Sequence, residues 1–154
     1  MINHSQRAME LFKQGYNCAQ SVFAAFCEDL GIDFETALKL SSSFGGGMGR
    51  LREVCGAVSG MFAVAGMKYG YTDPKDCKAK AAHYRLIQDL ASRFRAENNS
   101  IICRELLGLG AGPDIPDPEL RTDEYYNKRP CAELVRCAAG IIEDLINKTE
   151  KEKC

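Results

Sequence analysis

The chain has 154 residues, 45% apolar and 27% charged, with a formal net charge of −1 from 20 basic and 21 acidic residues. That length fits one domain, 1–154, with room for a core that needs no staples. Without a basic excess or a one-sign block, neither nucleic acid nor an anionic membrane is expected as a partner, and the mixed-sign stretch 148–154 reads as a frayed, solvated helix end.

The start Met1-Ile2-Asn3-His4-Ser5 lacks the basic, apolar and small-residue segments of a secretory signal, so a cytoplasmic location is expected. Ser5 to Gln14 reads as a first helix with Ala8, Leu11 and Phe12 on one face. A second stripe, Cys18, Ala19, Val22, Phe23, Phe26 and Leu30, ends at Gly31. Asp33 is the cap of a third helix carrying Phe34, Ala37, Leu38 and Phe44. The run Gly45-Gly46-Gly47-Met48-Gly49 breaks the chain.

A central helix over about 51–70 is predicted to be buried all round. Val54, Ala57, Val58, Met61, Phe62 and Ala65 form its bulky face, and Gly56, Gly60, Ala63 and Gly66 its small face. Its apolar run, Val54 to Met67, is too short to span a bilayer, so no membrane insertion is expected. Asp73-Pro74-Lys75-Asp76 opens a long helix with Cys77, Ala81, Tyr84, Ile87, Leu90, Ala91 and Phe94 inward. Asn98-Asn99-Ser100 stops it, and Ile101 to Leu107 forms a short helix. Gly112 to Pro118, with three prolines, is a loop. Pro130 opens the last helix, with Cys131, Leu134, Val135, Ala138, Ile141, Ile142 and Leu145 inward. Few runs alternate with period two, so the fold expected is all-α: a single-domain bundle of the central helix and five or six others.

Eight cysteines are many for a chain expected in a reducing compartment, where a standing disulfide framework does not persist. Four share a setting. Cys18 follows Asn17, a cap with Gln20 three residues on. Cys55 follows the glycine run, Cys103 lies three residues after Ser100, and Cys131 follows Pro130. Free N–H groups and the positive dipole end of a helix start lower a thiol pKa. Arg50, Arg52, Arg104, Lys128 and Arg129 stand nearby in sequence. Cys27, Cys77 and Cys137 fall within helical stripes and read as packing residues, and Cys154 is terminal.

The segments Gly15-Tyr16-Asn17-Cys18-Ala19-Gln20-Ser21, Gly45-Gly46-Gly47-Met48-Gly49 and Cys55-Gly56-Ala57-Val58-Ser59-Gly60, followed by Cys103 and Cys131, resemble the C-GCAxxG-C-C family of redox-active proteins. The resemblance spans nearly the whole chain, and Val54 stands where the family name has a glycine. It implies a prokaryotic origin, a helical fold and a redox or cofactor role for Cys18, Cys55, Cys103 and Cys131.

Two chemistries suit these thiols: an iron–sulfur cluster or other metal held by all four, or dithiol–disulfide cycling by two of them with an electron-transfer partner. No C-x-x-C pair is present, which removes haem attachment of the c type and argues against a zinc site built on close ligand pairs. The alternative is a non-enzymatic module whose glycine run, Gly45, Gly46, Gly47 and Gly49, holds an anion or small cofactor at a helix start. A tight turn serving the buried helix competes with that role. Hydrolase motifs are absent, and a homodimer through an exposed helix face is compatible with the pattern.

Overall fold

Helix starts in this chain are written in short polar side chains. In the computed structural model, which describes residues 3–154, Asn3 caps α1 (His4–Lys13) through the Gln6 N–H. Asn17 and Gln20 close a reciprocal capping box on α2 (Cys18–Ala25). Asp33 caps α3 (Phe34–Ser41) and Asp76 caps the long α5 (Cys77–Asn98). Between them runs α4 (Gly56–Tyr69), the central helix. Two short helices, α6 (Cys103–Leu106) and α7 (Asp123–Lys128), precede α8 (Cys131–Lys153).

The core forms where α1, α2, α4 and α8 pack together. Phe12, Val22, Phe26, Val58, Met61, Val64, Val135 and Ile142 are almost fully buried there, with Leu90 and Phe94 added by the second half of α5. Extended pairing among the described residues is confined to one antiparallel bridge, Val54 with Ile102, so the all-α fold holds. No helix among them is long and apolar enough to cross a membrane.

Several elements differ from the sequence reading. The central helix starts at Gly56, not near Leu51, because the Arg52 and Glu53 carbonyls are taken by the N–H groups of Arg104 (3.2 Å) and Cys103 (2.6 Å). Arg50 and Arg52 also have positive φ, which no helix accepts. Its burial is not all round: Met67 is half exposed. Helix α2 stops at Ala25, where the Phe26 and Cys27 N–H groups switch to i→i−3 bonds. Phe44 sits in a separate 3₁₀ turn, Ser42–Phe44. Tyr84 and Cys77 are exposed rather than inward, since the first half of α5 extends beyond the core. Helix α8 runs on through Lys153, across the stretch read as frayed. His4, near the start of the described chain, is well packed: it stacks on Phe26 at 4.2 Å and contacts Glu143 at 2.8 Å and Asp29 at 2.5 Å.

Candidate functional site

The four helix-start cysteines are brought to one cavity of about 200 Å³, which all four line. Cys18, Cys103 and Cys131 are the first residues of α2, α6 and α8, and Cys55 is the residue that caps α4. The bridge between the Cys55 and Cys103 segments fixes two of them: the Cys55 N–H donates to Ile101 (2.8 Å) and the Cys103 N–H to Glu53. Ser100 therefore does not cap Cys103 as its spacing suggested; its hydroxyl accepts from the Ile102 N–H at 3.0 Å. All eight cysteines are free thiols.

The glycines explain how the chain segments that carry the thiols reach one cavity. A Cβ on Gly47 would lie 2.6 Å from the Cys103 Cβ and 2.8 Å from the Arg52 Cα. One on Gly56 would lie 3.1 Å from the Cys18 Cβ and 2.9 Å from the Phe44 carbonyl oxygen. Gly45, Gly46 and Gly47 line the cavity wall, whereas Gly49 is not among the lining residues and supplies a left-handed turn (φ +60°) leading out of it. The glycine run thus sets backbone approach at the thiols.

Helix starts alone do not decide the ionisation of these thiols. Burial pushes the Cys55 thiol up to about 12, against the help of the Val58 and Ala57 N–H groups. Burial also raises Cys103, although the Arg52 Nη1 donates to its sulfur at 3.6 Å. Cys18 and Cys131 line the same cavity and influence each other's ionisation, moving in opposite directions. Cys18 is held well above its ordinary value, first by its pairing with the Cys131 thiol and then by burial. Cys131 is lowered by its pairing with Cys18 and by the nearby charges of Arg129, Arg121 and Arg52, with burial opposing. Burial or pairing thus raises three of the four thiols, and Cys131 alone is shifted toward thiolate.

The neighbouring bases divide in the same way. Arg52 and Arg129 face the cavity. Arg104 instead bonds the Leu51 carbonyl and Glu53, and Lys128 pairs with Glu124 on the surface.

The largest feature missed by the sequence reading is the segment 108–122, taken as a plain loop over its prolines. It forms a strap across the cavity mouth. Its Asp114 binds Arg52 (2.9 Å) and Arg50 (3.1 Å), and its Glu119 binds Arg129. Arg121 closes the strap by donating to the carbonyls of Phe12 and Tyr16, both at 3.1 Å, with its plane 4.3 Å over the Phe12 ring. Tyr125, on the unpredicted α7, completes the wall. The signal for α7 was present: Thr122 followed by two acids is a helix start, and its hydroxyl caps the Tyr125 N–H.

Among the described residues, no three His, Cys, Asp or Glu side chains are gathered closely enough to chelate a metal ion. Of the other cysteines, Cys27 is buried as expected. Cys137 is half-buried and bonds Glu97 at 3.2 Å and Asn98 at 3.4 Å; burial raises it to about 11. Cys154 is exposed.

Comparison with known proteins follows the same residues. The family model described as "Putative redox-active protein (C_GCAxxG_C_C)" matches residues 16–145. The chain is 29% identical over 141 residues to an uncharacterized protein of Archaeoglobus fulgidus (strain ATCC 49558), with 88% of each chain covered. No solved structure matches.

Proposed function

Since the chain belongs to the C_GCAxxG_C_C family over residues 16–145, we propose that it is a dithiol–disulfide redox protein in which Cys131 is the attacking thiolate and Cys18 the resolving thiol. The observation that carries this reading is that both thiols open onto one cavity walled by arginine, where their mutual influence and the arginine charges shift them in opposite directions, Cys131 toward thiolate and Cys18 away from it. One partner is poised to attack and the other to follow, although no C-x-x-C motif joins them in sequence.

The Cys131 thiolate attacks one sulfur of a substrate disulfide, a Cys131–substrate disulfide forms, and the first substrate thiolate leaves. Cys18 yields its proton to that thiolate and attacks the Cys131 Sγ. A Cys18–Cys131 disulfide forms and the second substrate thiolate leaves. Two electrons have passed from the protein to the substrate, and an external dithiol donor returns them.

The test is site-resolved. In reduced protein, Cys131 alkylates faster at pH 7 than exposed Cys77 or Cys154, and mild diamide treatment yields a Cys18–Cys131 peptide pair by mass spectrometry. A Cys131 no more reactive than Cys77, or an oxidised protein without that pair, overturns the reading.

One observation favours a second reading: Cys55 and Cys103 open onto the same cavity. Four thiolates with facing guanidinium groups suit an iron–sulfur cluster, which supplies one-electron transfer. The four thiols are not spaced to chelate a single ion, so zinc is disfavoured relative to a cluster. Anaerobic purification with iron and sulfide analysis and a visible spectrum separates the two readings.

A further inference from the structure

The charge around the thiol pair limits what can reach it. We propose that the substrate is a small anionic disulfide, one carrying carboxylates or similar anionic groups beside its S–S bond, and that Glu119 competes with it for Arg129. The inference rests on the dithiol reading above and names its substrate class.

Four guanidinium groups, Arg50, Arg52, Arg121 and Arg129, line the cavity. Two carboxylates answer them. Asp114 takes Arg50 and Arg52, and Glu119 takes Arg129 while lying 3.9 Å from Arg50. Arg121 is held by the neutral carbonyls of Phe12 and Tyr16, which leave its charge unmatched. The mouth is therefore two charges positive before the Cys131 thiolate is counted, and still one positive with it, in a chain whose total is −1. A concave, low-dielectric wall of one sign concentrates an anion beside the thiols.

The cavity is small. At about 200 Å³ it falls below the roughly 300–1,000 Å³ of pockets for drug-sized ligands. It admits a compact molecule or the tip of one, and planar guanidinium groups favour a carboxylate over a neutral amide at that tip. Glu119 places a carboxylate on Arg129 from within the chain. Its side chain is 43% exposed and tethered only through the strap, so a ligand carboxylate can take its place.

The chemistry gains from the same charges. When the Cys131 thiolate breaks the substrate S–S bond, the departing sulfur becomes a thiolate. Negative charge then appears close to Arg121 and Arg129, where it is stabilised until the leaving group takes the Cys18 proton.

Iodoacetate and iodoacetamide provide the test. They are nearly equal in size, and with each the Cys131 sulfur bonds the CH₂ carbon while iodide leaves. They differ in one charge, so the ratio of their rates at one cysteine cancels the thiolate fraction. In the intact reduced protein at low salt, the iodoacetate-to-iodoacetamide ratio at Cys131 is expected to be about tenfold above that at exposed Cys77 and Cys154. It should collapse toward theirs in 1 M salt. Arg129→Gln lowers the ratio several-fold. Glu119→Gln raises it, a change that unfolding would not produce, because an unfolded chain takes the ratio of an ordinary thiol. Normal iodoacetamide reactivity at Cys131 with a ratio no higher than at Cys77 overturns the anionic substrate and leaves the dithiol reading standing. Loss of iodoacetamide reactivity itself overturns the dithiol reading. A ratio that falls in Glu119→Gln overturns the competition.

Discussion

Replacing Gly47 by alanine tests whether the glycine run exists to let the thiols converge. Gly47 has φ +68°, and its added methyl would stand 2.6 Å from the Cys103 Cβ, 2.8 Å from the Arg52 Cα and 2.9 Å from the Glu53 nitrogen. Two of those three atoms are backbone, so no rotamer change relieves them. A left-handed conformation costs an alanine about 1–2 kcal/mol, and forced overpacking about 1–3 kcal/mol. Together they predict a loss of about 2–5 kcal/mol, a large share of a stability of about 5–15 kcal/mol. For a chain of this size that is a fall in melting temperature of about 4–20 °C. Gly66→Ala is the control. Gly66 lies inside α4, and an alanine methyl there would meet nothing within 4 Å, so the substitution should gain about 0.5–1 kcal/mol from helix propensity. Thermal and urea unfolding of both variants measure the contrast, and alkylation of Cys103 shows whether the remaining strain exposes the site. If Gly47→Ala melts within a degree or two of wild type, the glycine run is not a packing device and the account of how the cavity forms is wrong.

Three further outcomes follow from the same contacts. Cys18→Ala removes the neighbour that contributes most to the lowering of Cys131, so the pH midpoint of Cys131 alkylation should rise; an unchanged midpoint would assign the activation to the arginines alone. Asp114 has its carboxyl held below the usual range, first by the Arg52 hydrogen bond. A depressed acid contributes stability above its unfolded pKa, near pH 4, and loses it as pH falls through the folded value. The stability gap between wild type and Asp114→Asn should therefore be full at pH 6 and vanish in stronger acid, and a gap independent of pH would refute the role of this pair. His4→Ala loses the Phe26 stack and the Glu143 contact, for an expected cost of about 1–3 kcal/mol in urea unfolding; a neutral result would mean α1 is docked by Ala8, Leu11 and Phe12 alone.

What could be read from the sequence was local. The Asn17–Gln20 box, the Asp33 cap and the four cysteines at helix starts depend on neighbours a few positions away, and the structure places each of them as the spacing implies, whereas the long helix opens at Cys77 behind Asp76, one turn later than the Asp73-Pro74 start suggested. The acidity of the thiols did not follow, because it turns on burial and on Arg121 and Arg52 arriving from outside the local window. The strap was opaque for a related reason. Pro113, Pro116 and Pro118 mark irregular backbone correctly, but nothing in the spacing of Asp114 and Glu119 says that they meet the arginines of the cavity. His4 shows the same limit, since its partners Asp29 and Glu143 belong to two other parts of the chain.

The four thiols belong to four separate stretches of chain, and the last of them, Cys131, opens the final helix. The proposed dithiol centre therefore has no local precursor. During synthesis Cys18, Cys55 and Cys103 emerge without the partner that completes the cavity, and the sulfur lowered toward thiolate comes last, with its acidity supplied by contacts that only the finished bundle provides. On the proposed chemistry, reactivity would be a readout of complete folding: a chain arrested before α8 docks would carry ordinary, sluggish thiols rather than a prematurely armed one.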